Sequence, residues 1–318
     1  MMLELILLIV GFIMIIKASD VLVDAASSLA IKFKVPKMLI ALTIVAFGTC
    51  APELAISFNS VMTKNGTMAF ANVIGSCIVN VFLIIGLAAL TNNIKIKDAT
   101  IKKEMPILLL VTTSFSVLML DSLFNSNHDN IFSRADGIIL ILLFLMFVAY
   151  LVQLFKSHDK SKDKPQEPKY NSVIIASIIL ALSIVLIVLS SDLIVNNATI
   201  IAHRLGISEK IITMTAIVIG TSLPELFMTV TSARKGEFET TIGNIIGTNI
   251  FNVCIVLGLP VAIYGDISLT NFSVVDILVV FLTSLDLFLF ARSEKTVSKQ
   301  EGLIMLLIFV VYYFYLFF

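Results

Sequence analysis

The sequence predicts an all-α membrane protein built as a bundle of ten transmembrane helices. Hydrophobic residues make up 58% of the 318 residues, charged residues only 14%, and the mean hydropathy is +1.03. Such a chain cannot bury its apolar surface in one globular core, so lipid must solvate it. The apolar stretches lack the alternation of a membrane β-barrel, which favours helices over strands.

A helix needs about 20 apolar residues to cross a bilayer. Short polar turns, such as Thr91-Asn92-Asn93, divide the chain into ten segments of this kind. We expect the first to be a retained span, because it has neither a basic region before it nor a small-residue cleavage site after it. The predicted spans are residues 3–31, 37–63, 67–91, 104–121, 134–156, 172–203, 209–234, 239–264, 272–291 and 300–318.

The two halves of the chain repeat each other. Shifting the sequence by 172 positions aligns Ser19–Leu87 with Ser191–Leu259 without a gap. Polar residues, glycines and prolines fall at matching positions in the two copies, which indicates an internal duplication and not merely a similar composition. The coinciding residues include Asp20 with Asp192, Gly48-Thr49 with Gly220-Thr221, Pro52-Glu53 with Pro224-Glu225, Asn72 with Asn244, and Asn80 with Asn252.

Five predicted spans precede the second copy, so the two repeats should lie upside down relative to each other. With the N terminus outside, seventeen lysine and arginine residues fall in cytoplasmic turns and four in outer turns. This asymmetry satisfies the positive-inside rule and predicts that both termini lie outside. The predicted division is residues 1–156 as the first repeat (helices 1–5), 157–171 as a cytoplasmic linker and 172–318 as the second repeat (helices 6–10).

A carboxylate lies inside an apolar span at two equivalent places, Glu53 and Glu225. Each follows a glycine, a threonine and a proline, and the proline frees the backbone carbonyl four residues before it. Carboxylates and free backbone carbonyls occur inside a membrane only where another group pairs with them, and a bound cation can pair with both. We expect the hydroxyls of Thr49 and Thr221, four residues before the carboxylates, on the same helix face.

A second pair of motifs supplies amides and hydroxyls in the third and eighth predicted spans. We favour a ligand role for Ser76 and Asn80 and for their equivalents Thr248 and Asn252. Asn72 and Asn244 are as well explained by helix packing as by ligation. Together these oxygens form a site of the kind that hard cations prefer. The sequence therefore predicts a cation transporter with its ion site at the bilayer midplane.

The duplicated motif Gly-Thr-(Ser/Cys)-x-Pro-Glu, followed by Gly-(Ser/Thr)-x-Ile-x-Asn, resembles the cation/calcium exchanger superfamily, and most closely its sodium/calcium exchanger branch of prokaryotic type. The resemblance implies electrogenic antiport of one Ca²⁺ against about three Na⁺ by alternating access. It also implies that the first and sixth helices slide across the other eight. The expected location is the cell (plasma) membrane, with no cofactor and no obligate protein partner.

Carried over by position, the resemblance implies six ligands from each repeat. Those of the first repeat are Ala46 (backbone), Thr49, Cys50, Glu53, Ser76 and Asn80. Those of the second repeat are Val218 (backbone), Thr221, Ser222, Glu225, Thr248 and Asn252.

Two of these positions depart from the family pattern. Asn252 stands where archaeal relatives place an acid, so the site has two carboxylates, whose charge matches one Ca²⁺. Cys50 replaces a serine, and a thiol is a poor ligand for Na⁺ or Ca²⁺. We therefore expect one sodium position to be weakened.

The sequence leaves two alternatives to Na⁺/Ca²⁺ exchange open and disfavours several others. Coupling to H⁺ stays open because neighbouring carboxylates favour uptake of a proton, and K⁺-dependent exchange stays open too. Soft-metal transport through Cys50 and Cys77 is less favoured, and inverted repeats with broken helices favour alternating access over a channel. An enzyme is not expected, because no phosphate-binding loop or nucleophile–histidine motif occurs. Nucleic acid is not expected as a partner, because no basic stretch is interleaved with aromatic residues.

Two further acids, Asp20 and Asp192, come late in long spans. They lie near the headgroup level and, in inverted repeats, at opposite faces of the membrane. We therefore expect them to make helix-end or gating contacts and not to belong to the ion site.

Overall fold

The structure is a computed structural model that describes residues 2–63, 66–120, 131–157, 167–206, 219–268 and 273–317. Within these ranges the chain is overwhelmingly helical, which confirms the all-α class. Seven helices are long and apolar enough to cross a membrane, or eight if one bent pair counts as a single span. The prediction of ten spans in two inverted repeats, with both termini outside, stays a prediction.

The described helices and strands are numbered in chain order. The helices are α1 Met2–Phe33, α2 Lys37–Thr49, α3 Ala51–Met62, α4 Gly66–Thr91, α5 Asp98–Lys102, α6 Glu104–Leu118, α7 Arg134–Ser157, α8 Val173–Arg204, α9 Leu223–Arg234, α10 Phe238–Tyr264, α11 Val274–Glu294 and α12 Lys299–Phe317. The strands are β1 Ile94–Lys95, β2 Ile131–Phe132, β3 Ile267–Ser268 and β4 Thr296–Val297.

Three predicted spans differ from the helices that the structure contains. The span 37–63 is not one helix, because α2 and α3 meet at Cys50 with a bend of 49°. The span 104–121 is represented by α6, whose 15 residues fall short of the usual crossing length. The span 209–234 is represented by α9, and residues 207–218 lie outside the described part of the chain.

The centre of the bundle is formed by α4 and α10. Of the apolar 18-residue stretch that marks each of these helices as a membrane span, 78% is buried inside the protein in α4 and 83% in α10, against 33% in α1 and 28% in α8. The large core cluster surrounds α4 and α10, and a second cluster fills the interface of α1 and α8. The molecule therefore has a central body and a peripheral pair of long helices.

The two central helices run in opposite directions. Gly66, at the start of α4, lies against the side chain of Ile267, just beyond the end of α10. Lys97, beyond the end of α4, forms an ion pair with Glu239 at the start of α10. Antiparallel pairing of β1 with β4 and of β2 with β3 joins the segments that follow these helices to those that precede α12 and α7. This relation between α4 and α10 is the one that inverted repeats require.

Candidate cation site

Two helix breaks position the candidate site, one in each half of the chain. Cys50 precedes α3 with φ −76° and ψ 5°, and Ser222 precedes α9 with φ −85° and ψ 3°. Pro52 and Pro224 lie in the first turn after each break, where a missing N–H group breaks no helical hydrogen bond. The following glutamate then sits in the first turn of a new helix, at the positive end of its dipole.

The carboxylates of Glu53 and Glu225 converge in the interior. Each residue is only 1% exposed, and the two charges interact with each other. Among the described residues, none of their four carboxylate oxygens has a hydrogen-bond partner. Because a buried charge is costly unless it is paired or binds a metal, this arrangement calls for a cation.

The polar groups nearest to each carboxylate come from the other half of the chain. Thr221 interacts with Glu53, while Thr49 and Cys50 interact with Glu225. The sequence predicts that each threonine lies on the same helix face as the glutamate four residues after it, and this prediction is wrong. The helix breaks between them, and each carboxylate faces the threonine of the opposite repeat.

The amides and hydroxyls of α4 and α10 add further oxygens. The side-chain oxygens of Asn80 and Asn252 are buried and accept no hydrogen bond from any described residue. Ser76 lies 3.5 Å from the hydroxyl of Ser222, Oγ to Oγ. The Thr248 hydroxyl donates to the Asn244 carbonyl at 2.8 Å, which leaves its oxygen lone pairs available. Orphaned buried oxygens of this kind fit a hard cation, the transported substrate that the sequence predicts.

Wide π-helical turns occur at these amides. They span Val79–Ile85 in α4 and Asn252–Leu257 in α10, and a third, Ala41–Val45, leads into Ala46 in α2. Such turns are rare and frequently mark functional sites, because they displace side chains from regular helical positions. Their repetition next to the predicted ligands supports a functional role for this region.

Most of the predicted ligands are buried in this region. Thr221 is half-buried, and Val218 lies outside the described residues. The fully buried members of the predicted set are Ala46, Thr49, Cys50, Glu53, Ser76, Asn80, Ser222, Glu225, Thr248 and Asn252. Their role as ligands stays a prediction.

Two backbone carbonyls have partners within the protein. The Ala46 carbonyl accepts the Cys50 N–H at 3.1 Å and the Thr49 hydroxyl at 3.3 Å. The Gly220 carbonyl, which the sequence predicts to be free for a cation, accepts the Ser191 hydroxyl of α8 at 2.7 Å. That prediction is wrong for Gly220, since a neighbouring helix supplies the donor that Pro224 cannot.

The sequence analysis missed Asn249 and left the role of Asn244 open. Asn249 is fully buried and accepts the Asn80 amide at 2.8 Å, so it links α4 to α10. Its equivalent in the first repeat is Cys77, so the search for matched polar residues gave no signal there. The Asn244 amide donates to Thr229 on α9 at 3.0 Å, which favours the packing interpretation for this residue.

An ionic cluster ties α1 to the end of α9. Lys235 Nζ lies 3.7 Å from Asp20 Oδ1 and 2.7 Å from Asp24 Oδ1, and Lys169 Nζ lies 2.6 Å from Asp24 Oδ2. The predicted helix-end contact is thus confirmed for Asp20. Asp192 is exposed on α8.

A multi-pass helical bundle with two buried carboxylates beside helix breaks, neither paired with a basic side chain among the described residues, is typical of a membrane transporter for ions. The sequence matches the family model described as sodium/calcium exchanger protein over residues 3–153 and 175–318. The chain belongs to this family, and it is a multi-pass membrane cation antiporter and not an enzyme.

Two relatives and one solved structure are similar to this chain over most of its length. The inner membrane protein YrbG of Escherichia coli is 34% identical over 270 residues, which cover 83% of this chain and 81% of that protein. The sodium/calcium exchanger MaX1 of Methanosarcina acetivorans is 29% identical over 98% of both chains. A solved structure of the sodium-calcium exchanger NCX_Mj, soaked with Na⁺ and Sr²⁺, superposes with a TM-score of 0.83 at 26% identity and covers 98% of this chain and 97% of that one.

Proposed function

We propose that this protein exchanges Na⁺ for Ca²⁺ across the cell membrane by alternating access to one site between the two repeats. The observation that carries the proposal is the convergence of Glu53 and Glu225, both buried and both without a hydrogen-bond donor among the described residues. Two carboxylates balance the charge of one Ca²⁺. The names of MaX1 and NCX_Mj support Na⁺ and Ca²⁺ as the ions.

The proposed ligands are the predicted set, with the glutamates at its centre. Hydroxyl and amide oxygens, from Ser76 and Asn80 in α4 and from Thr248 and Asn252 in α10, are proposed to complete the coordination that the carboxylates begin. Oxygen donors of mixed charge suit both Na⁺ and Ca²⁺, which are hard cations. If about three Na⁺ replace one Ca²⁺, the sodium-loaded site carries one excess positive charge, so the exchange is electrogenic.

Alternating access is proposed to use the peripheral pair α1 and α8. These helices pack against each other and are less buried than the central α4 and α10. They also cover the broken helices, since Gly48 and Gly220 lie against Ile184 and Val195 of α8. Movement of this pair over the glycines would open the site to one face at a time.

The test is transport by purified protein in proteoliposomes. Two unit charges ~4 Å apart attract each other by about 4 kcal/mol at an effective dielectric constant of ~20, and the double charge of Ca²⁺ doubles this to about 8 kcal/mol, part of which the polar glutamine side chain recovers. Glu53→Gln and Glu225→Gln should therefore lower Ca²⁺ affinity by about 100- to 1000-fold and abolish uptake driven by a Na⁺ gradient. Glu294→Gln, at an exposed position near the end of α11, is the matched control and should transport normally.

The coupling ion is tested in the same vesicles by imposing Na⁺, K⁺ and H⁺ gradients separately. We expect Ca²⁺ uptake only when Na⁺ is imposed on the opposite face. Uptake driven by H⁺ alone, or uptake that requires K⁺, would replace Na⁺/Ca²⁺ exchange with one of the alternatives. Wild-type uptake by both glutamine variants would remove the site assignment.

A further inference from the structure

The candidate cation site contains a sulfur atom among its oxygens. Cys50 lies at the break between α2 and α3, is fully buried and is not in a disulfide. Its thiol points toward the Thr248 carbonyl of α10, with 4.0 Å between Sγ and O. The corresponding residue of the second repeat is Ser222, so only one half of the site carries a soft donor.

The thiol lies beside two buried carboxylates, neither of which pairs with a basic side chain among the described residues. Cys50 interacts with Glu225 and with Glu53. Both oxygens of Glu225 are buried and have no hydrogen-bond partner at normal distance within the described chain. An unpaired, buried carboxylate next to a thiol offers a metal ion one soft ligand and one charged oxygen ligand at the same place.

The other cysteines do not complete a thiol cage. In the described part of the chain, no three His, Cys, Asp or Glu side chains are gathered as a metal site. Cys77 neighbours Cys50, and Cys254 neighbours Cys77 but interacts with neither glutamate. A soft ion would therefore be held by Cys50 and Glu225 together with the hard oxygens of the site.

We propose that Cys50 makes the transport site a high-affinity site for a soft divalent cation of calcium-like size, such as Cd²⁺, which blocks exchange. The inference rests on the proposed function, because it places Cd²⁺ where Ca²⁺ would bind. As the cadmium–sulfur bond forms, the thiol proton is released to water on the open face. The resulting thiolate adds a negative charge to those of Glu53 and Glu225, and the soft sulfur favours Cd²⁺ over Ca²⁺.

The first experiment measures inhibition of Na⁺-driven Ca²⁺ uptake by Cd²⁺ and, as a hard comparison ion, by Sr²⁺. Loss of a second-shell partner already weakens metal affinity by about 10- to 100-fold, so Cys50→Ser should weaken Cd²⁺ inhibition by about tenfold or more. Inhibition by Sr²⁺ should change little in this variant. Cys254→Ser, which removes a buried thiol away from the glutamates, is the matched control and should keep wild-type Cd²⁺ inhibition. Equal inhibition of wild type and Cys50→Ser would overturn the proposal.

A second experiment detects the bond without transport. Cd²⁺ added to the purified full-length protein in detergent should produce an ultraviolet sulfur-to-metal charge-transfer band that excess Ca²⁺ removes. The band should be absent in Cys50→Ser and present in Cys77→Ser and Cys254→Ser. A band that persists in Cys50→Ser, or that excess Ca²⁺ does not reduce, would overturn the proposal.

These two measurements separate the inference from the proposed function. A wild-type protein that shows the Ca²⁺-sensitive band but no Na⁺-driven uptake would support the soft-cation site and contradict the proposal of Na⁺/Ca²⁺ exchange. A wild-type protein that exchanges ions but shows no band would remove the soft-cation site alone. Serine already occupies the equivalent position, Ser222, so Cys50→Ser should fold, and its thermal unfolding midpoint checks this.

Discussion

At the scale of single residues, the site is a concentration of polar groups that the protein itself leaves unsatisfied. Glu53, Glu225, Asn80 and Asn252 all carry buried oxygens without a donor among the described residues. A protein interior normally pairs such groups, since an unpaired buried acceptor costs about 1–3 kcal/mol and a charge costs more. The free energy lost on folding can be recovered when a cation binds, which couples the stability of this region to ion occupancy.

Cys50 should lower the affinity of the site for Na⁺. A thiol binds a hard monovalent cation poorly, and the serine hydroxyl at the equivalent position binds it better. Cys50→Ser should therefore shift the Na⁺ dependence of Ca²⁺ release from proteoliposomes to lower concentration. Cys254→Ser, which alters a core thiol, should leave the dependence unchanged. A sodium titration that is identical in wild type and Cys50→Ser would show that Cys50 is not a sodium ligand.

The sequence carries a strong signal for some of these residues and none for others. Glu53 and Glu225 stand out because an acid in an apolar span is rare, and because the repeat presents it twice. Asn249 and Ser191 give no such signal. Their roles depend on which helices become neighbours, as when Ser191 of α8 meets the Gly220 carbonyl. That information is tertiary and is not contained in local spacing.

At the scale of helices, prolines and glycines decide how close the site residues come. Pro52 and Pro224 predict the two breaks, but none of the three described π-helical turns contains a proline. Gly247 of α10 lies against the backbone of α2, where an added Cβ would lie 2.9 Å from Leu42 Cα and 3.0 Å from its carbonyl oxygen. Gly243, one turn earlier, packs on Met38 in the same way, so the two glycines allow α10 to approach α2 beside the site.

Gly247→Ala should therefore impair both stability and transport. The added methyl group meets backbone atoms that cannot move aside, and overpacking of this kind costs about 1–3 kcal/mol. We expect a lower thermal unfolding midpoint and reduced Na⁺-driven Ca²⁺ uptake. In the comparison variant Gly11→Ala, the added methyl group meets Ile194 Cγ1 at 2.7 Å, but the nearest backbone atom, the Ser190 carbonyl oxygen, lies at 3.4 Å, so a shift of one side chain relieves the contact and the effect should be smaller. Equal effects of the two variants would contradict the close-packing argument.

At the scale of the whole molecule, ion pairs tie the peripheral helices α1 and α8 to each other and tie α1 to the end of α9. The ionic cluster of Asp20, Asp24 and Lys235 joins α1 to α9, and Arg204 pairs with Glu4 at 2.8 Å to join α8 to α1. Ion pairs that are partly exposed contribute little to stability, so they can break and reform as helices move. The duplication and the charge asymmetry predict this two-part architecture in outline. The polar contacts between its parts depend on tertiary packing.

The charge of the loaded site determines which half of the transport cycle responds to voltage. With two carboxylates, the proposed site is neutral with Ca²⁺ and carries one positive charge with about three Na⁺, so the sodium step should move charge. Asn252→Asp adds a third carboxylate, which makes the sodium-loaded site neutral and the calcium-loaded site negative. The charge moved in the full cycle is unchanged, but it should pass from the sodium step to the calcium step.

Concentration jumps on a supported membrane test this: Na⁺ jumps should give the larger current in wild type, and Ca²⁺ jumps in Asn252→Asp. Asn171→Asp, which adds the same charge at an exposed position before α8, should behave like wild type. A sodium-step current that persists undiminished in Asn252→Asp would show that this residue lies outside the transported charge.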